Sequence, residues 1–160
     1  MKALRPNRGF TIIELVAVVL IICVLAALIA LTASGVQAKN RNGDRETRMD
    51  TLRSQLETYY ARTNTYPTLS NVNDAAWRTK NLPHLKDTSL RDPRWSNTVA
   101  ACTAKTHPIL AAQPAANCFS YQVASTEGSA CDNVAVSCAH YTLTARLEGG
   151  EQYTKSSLNN

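Results

Sequence analysis

Apolar residues are unevenly placed along this chain. From Leu15 to Leu31 only the soft thiol of Cys23 interrupts an apolar block, which reaches back to Phe10 with Thr11 and Glu14 as its polar members. About 20 apolar residues suffice for a helix to cross a bilayer. Ala38 to Tyr60 then runs without proline, and Met49, Leu52, Leu56, Tyr59 and Thr63 recur three and four apart. That spacing predicts one apolar face of a helix. Arg45, Arg48, Arg53 and Glu57 fall mostly elsewhere and are expected to be solvated. The two stretches join into one predicted helix from Phe10 to about Arg62, roughly 80 Å long at 1.5 Å per residue. Ser34-Gly35 and Asn42-Gly43 are its weak points, since glycine costs about 1 kcal/mol relative to alanine in a helix.

The pattern changes again at Tyr66-Pro67, where the residue before proline is biased toward extended backbone. Leu69 to about Ala116 is rich in Asn, Thr and Pro; a short helix carrying Trp77 is predicted near Asp74, and Asp92-Pro93-Arg94-Trp95 reads as a turn with an aromatic plug. Phe119, Tyr121 and Val123 alternate, as do Tyr141, Leu143, Ala145 and Leu147, which predicts strands. Glu148-Gly149-Gly150-Glu151 predicts a hairpin turn into a strand around Tyr153. The fold class that results is α+β. A long N-terminal helix, apolar in its transmembrane half and amphipathic beyond, packs on a small C-terminal antiparallel sheet of three or four strands. A head of this size cannot cover the apolar half, which must pack on lipid or on copies of itself.

Three readings compete for the N-terminus. A removable secretory signal has an apolar region of about 7–15 residues and a small-x-small cleavage site. Here the run is longer, and Leu31-Thr32-Ala33 is a poor match for that site. A plain transmembrane anchor gives no reason for Glu14, because a carboxylate in a span is costly and marks function by default. The third reading accounts for all of it. Arg8-Gly9-Phe10-Thr11-Ile12-Ile13-Glu14-Leu15 resembles the prepilin peptidase site of type IV pilins and type II secretion pseudopilins. The segment from Asp50 to Pro67, with its leucines, Tyr59-Tyr60 pair and Tyr66-Pro67 stop, resembles the same family.

The resemblance implies a basic leader 1–9, cut after Gly9 by prepilin peptidase, with Phe10 becoming the N-methylated first residue. Glu14 takes the place of the family's assembly glutamate, which pairs with the new amine of a neighbouring subunit. Residues 10–35 become the transmembrane and assembly helix. Residues 36–160 become a pilin-like head, with helix 36–62, loop region 64–117 and sheet 118–155. The implied partners are prepilin peptidase, identical or related pilin subunits, and the cytoplasmic membrane before assembly. Many pilins have a proline near where Leu31 falls, and this chain lacks it; if packing in a fibre melts the helix, Ser34-Gly35 is the expected place, the alternative being a glycine tolerated at a close helix contact. Calcium, often held by the major pseudopilin's C-terminal region, is not expected here, because Asp132, Glu148 and Glu151 are too few and scattered.

Charge and cysteines refine this picture. Of the formal net charge of +5, Lys2, Arg5 and Arg8 supply three. These favour a cytoplasmic N-terminus, yet Lys39, Arg41, Arg45 and Arg48 lie close behind the span, so a simple count is ambiguous; the four head cysteines and the nine-residue leader decide it in favour of the head outside. Cys102, Cys118, Cys131 and Cys138 all lie in the C-terminal half. An even number in a small exported head points to two disulfides and an oxidising compartment. Of the three pairings, Cys102–Cys118 with Cys131–Cys138 is expected, because near neighbours in a loop-rich region meet easily.

His84, His107 and His140 share no ligand spacing, Cys138-Ala139-His140 lacks the paired CxxC of structural zinc, and no catalytic or phosphate-loop motif is present. No enzyme activity and no cofactor are expected. Arg78, Lys80, Lys86, Arg91 and Arg94, interleaved with Trp77 and Trp95, have a composition that can hold phosphates and stack bases. DNA therefore stands as a further candidate partner, as in competence pili, beside a plain solvated loop.

Overall fold

The structure is a computed structural model that describes residues 10–102 and 109–159, with residues 30–34 described by backbone alone. Helix α1 spans Ile12–Thr63. The chain divides into two compact units between Ala38 and Lys39.

In the N-terminal unit, Ile12–Ile29 has a mean hydropathy of 3.3, and none of it is buried within the chain. It is long and apolar enough to cross a membrane. The helix continues through Gly35 and Gly43 without interruption.

The second unit is built on the remainder of α1. Met49, Leu52 and Leu56 are fully buried, as their spacing predicts, while Thr63 at the end of the stripe is exposed. Asn64, with φ 57, reverses the chain after the helix, a left-handed position that asparagine tolerates. Two short helices follow, α2 (Leu69–Asn73) and α3 (Ala75–Asn81). The pattern predicted α3 but not α2. Thr68 accepts from Asn71 N to start α2, and Asp74 accepts from Trp77 N to start α3. Both are side-chain caps of the kind worth about 1 kcal/mol each.

Three antiparallel strands close the head: β1 (Ser120–Ala124), β2 (His140–Arg146) and β3 (Gln152–Ser156), in the order β1-β2-β3. Tyr121 faces Leu143, Val123 faces Tyr141, and Ala145 faces Tyr153 across the ladders. Directly paired residues share a face, so these six form one apolar surface. It packs with Met49, Leu52, Leu56, Tyr66 and Phe119 into the main core. The β2–β3 turn closes through Leu147 N donating to Glu151 O at 2.8 Å. Gly149 and Gly150 stand at φ 103 and 97, where a side chain would be strained.

Candidate processing and assembly site

Gly9, the expected cut position, lies outside the described residues. Phe10, next to it, is 91% exposed. Thr11 and Glu14 form a reciprocal cap at the start of α1. Glu14 Oε2 accepts from Thr11 N at 2.9 Å and from Thr11 Oγ1 at 2.8 Å, and Glu14 N donates back to Thr11 Oγ1 at 3.4 Å. This is the Thr-x-x-Glu box that satisfies orphan donors at a helix start. Both bonds use one carboxylate oxygen. The other, Oε1, accepts no hydrogen bond among the described residues and remains open to a further donor. The cap and a pairing role for Glu14 are therefore compatible.

In the head, Cys102 and Cys118 stand with Cα atoms 6.1 Å apart, and Cys131 and Cys138 with theirs 5.2 Å apart, both at disulfide spacing. The first pair forms a small second core with Ala111, against which Trp95 and Val99 pack. The second pair closes a loop moored to the chain just after α1. Asn133 Nδ2 donates to Tyr66 O at 2.6 Å, Tyr66 N donates to Cys138 O at 2.8 Å, and Asn133 Oδ1 accepts from Cys138 N at 2.8 Å. Asp132 accepts from the backbone N–H groups of Val134, Ala135 and Val136, which hold its carboxyl below its ordinary range.

One expectation is overturned. Arg45 is not solvated: its side chain is 2% exposed and lies against Asp92, itself 1% exposed. Two parallel bonds join them, Arg45 Nε to Asp92 Oδ2 at 2.6 Å and Arg45 Nη2 to Asp92 Oδ1 at 3.0 Å. Glu148, at the start of the β2–β3 turn, adds a second acceptor at 3.3 Å and also receives Arg41 and Arg94. Asn42 anchors that turn by accepting from Glu148 N at 2.9 Å. Burial opposes the charge on Arg45, but the bonds to Asp92 and Glu148 outweigh it and raise its pKa. The hydrogen bond from Arg41, aided by Arg45 and Arg94, holds the Glu148 carboxyl at about 2, against an ordinary 4.5.

A second connection joins α1 to the sheet. Glu57 accepts from Tyr66 Oη at 2.9 Å, Tyr141 Oη at 2.8 Å and Leu158 N at 3.2 Å. Burial, reinforced by the bond to Glu57, raises the Tyr66 hydroxyl to about 12 and that of Tyr141 further, so both remain donors.

The basic loop is largely spent inside the head. Arg78 is buried, donates to Val72 O and pairs with Asp87. Arg91 lies 4.0 Å over the ring of Trp95, and Arg94 pairs with Glu148. Trp77 packs on Tyr59 at 5.3 Å. The two tryptophans thus cover core, and among the described residues Lys80 and Lys86 have no such role. No group of three or more His, Cys, Asp or Glu side chains able to hold a metal occurs among the described residues.

No curated protein and no solved structure matches the chain. Residues 4–30 match the prokaryotic N-terminal methylation motif, and this motif with the apolar helix fits a membrane-anchored precursor. The chain therefore carries the signature of type IV pilins and pseudopilins, which implies processing by prepilin peptidase and assembly with pilin subunits.

Proposed function

We propose that this chain is a structural subunit of a type IV pilus and not a catalyst. Prepilin peptidase removes residues 1–9 by cutting between Gly9 and Phe10, and Phe10 is N-methylated. Residues 10–35 anchor the precursor with its head, 36–160, outside the cytoplasm, and later pack among the same helices of other subunits in a helical surface fibre. The observation that carries this reading is the bare span. Ile12–Ile29 is not buried within the chain and lies inside the matched methylation motif, residues 4–30. An uncovered apolar helix is stable in lipid or against other apolar helices, and a pilin occupies both in turn. The pseudopilin reading shares the motif and differs in the product, a short fibre serving protein secretion. Electron microscopy of cells with the gene deleted and restored tests the proposal. Surface fibres that vanish and return with the gene support a pilus. Fibres unaffected by the deletion, with secreted proteins lost instead, would replace it with the pseudopilin reading.

Cys102–Cys118 and Cys131–Cys138 belong to the same proposal as disulfides formed once the head has left the cytoplasm. Loops this short are worth about 2–4 kcal/mol each in chain-entropy terms. Non-reducing peptide mapping of protein from the native host is expected to find these two linked pairs. Free thiols at all four positions would contradict a head in an oxidising compartment.

A further inference from the structure

Five arginines crowd one region of the head. Arg41, Arg45 and Arg94 converge on Glu148, and Arg45 also meets Asp92. Arg48 donates to the carbonyls of Thr88 and Arg91, bringing Arg91 alongside. Three guanidiniums thus share two carboxylates, and Arg48 and Arg91 add two further positive charges nearby. The exposed Asp44, one turn from Arg41 on α1, offsets one more charge and leaves the patch about two positive charges in excess. Arg41 and Arg94 remain 29% and 55% exposed. Arg41 reaches Glu148 through Nε alone and Arg94 through Nη1 alone. Among the described residues their other guanidinium donors meet no acceptor.

We propose that this arginine patch docks on anionic phospholipid headgroups of the membrane that anchors the chain. The inference rests on reading Ile12–Ile29 as a membrane span. A phosphodiester suits two unspent guanidinium edges, which bind phosphate in bidentate fashion. The membrane is the favoured source because it is tethered to the patch. Arg41 follows Ile29 by only twelve residues, so at most about 40 Å of chain separates them in any conformation. Tethering of this kind raises the effective concentration of the lipid surface over that of any free polyanion. Basic residues just outside a span are an anomaly for simple charge rules, and a headgroup-binding role gives them a use.

The test uses the full chain in nanodiscs of phosphatidylcholine, alone or in equal mixture with phosphatidylglycerol. Trp77→Phe leaves Trp95, which directly follows Arg94, as the single tryptophan. Energy transfer from Trp95 to a dansyl-headgroup lipid reports approach of the patch. Transfer is expected to be higher with phosphatidylglycerol and to fall as salt rises. Each arginine removed in Arg41→Gln and Arg94→Gln lowers the docked-to-free ratio about fivefold, with the thermal melt tracking fold. Glu148→Gln removes the carboxylate charge that offsets both guanidiniums and raises transfer. Should the double variant not fold, the salt titration of the Trp77→Phe chain decides. Equal transfer in both lipids, or a phosphatidylglycerol effect indifferent to salt or surviving both substitutions, overturns the proposal alone. A chain that does not enter the nanodiscs overturns the span reading as well.

Discussion

Cells carrying Glu14→Val are expected to make cleaved, membrane-inserted subunits and no fibres, or very few. Glu14 is a carboxylate within an otherwise apolar stretch. Near the end of a span it reaches the interface, and Thr11 satisfies one of its oxygens. Among packed helices in a dry fibre the second oxygen would lack water, and an unpaired buried charge is costly. Cleavage after Gly9 would supply a partner, the new amine of Phe10 on a neighbouring subunit. Pairing the two would set the axial register of each incoming subunit, because an offset leaves two charges unmatched. Valine removes the charge and also the cap. Glu14→Gln separates the two, since the amide oxygen still accepts from Thr11 but carries no charge. Both variants should be cleaved, and both should lack fibres when cells are imaged. Normal fibres from cleaved Glu14→Val subunits would show that assembly needs no charge there. Fibres from Glu14→Gln but not from Glu14→Val would assign the role to the cap.

The second large effect concerns the stability of the head. Asp92→Ala strands the Arg45 guanidinium in a site where it is 2% exposed, with only Glu148 left as a charged partner. Breaking a buried pair from one side costs about 3 kcal/mol or more. That should lower the thermal midpoint of the full chain in detergent by roughly 10 °C. Replacing both partners with apolar residues, Arg45→Met with Asp92→Leu, should recover much of the loss, because the stranded charge is then gone. A shift of Asp92→Ala within about 1 °C of the wild-type chain would show that the pair is dispensable. The same network sets an acid limit. Glu148 titrates at about 2 in the fold against an ordinary 4.5. A carboxyl held low contributes stability that is complete above about 4.5 and is lost as pH falls toward about 2. The midpoint should therefore fall through that window, and less steeply in Glu148→Gln.

Much of this fold was legible in the sequence because the signals are local. The Met49, Leu52 and Leu56 stripe, the alternation of Tyr121 with Val123 and of Tyr141 with Leu143 and Ala145, and the Gly149-Gly150 turn each declare themselves within a few residues. Helix α2 was missed because five residues give no periodicity, though Pro67-Thr68 placed a cap before them. Arg45 was misread for a different reason. Its partners lie 47 and 103 residues away, so nothing local says that its charge is matched. One signal was available: Arg45 precedes Met49 by four residues and extends the buried stripe one turn toward the N-terminus. A charged residue in line with an apolar face is worth reading as a paired core residue. Glu57 escaped in the same way, since its tyrosine donors come from the chain reversal and from β2.

At the assembly end the motif carried the reading, and geometry added to it. Thr11 and Glu14 were recognised by their spacing behind Gly9, but only the structure divides the carboxylate into one bonded and one open oxygen. That division would allow a single residue to cap its own helix and also meet a neighbouring subunit in the proposed fibre.

Mass spectrometry of the N-terminal peptide, taken from fibres sheared off the native host, tests the central claim most directly. A processed pilin predicts a peptide beginning at Phe10, heavier by one methyl group, with residues 1–9 absent. A chain that retains Met1, or one that begins near Ala33 after loss of the whole apolar helix, would contradict it, because neither leaves the amine and the span that assembly requires.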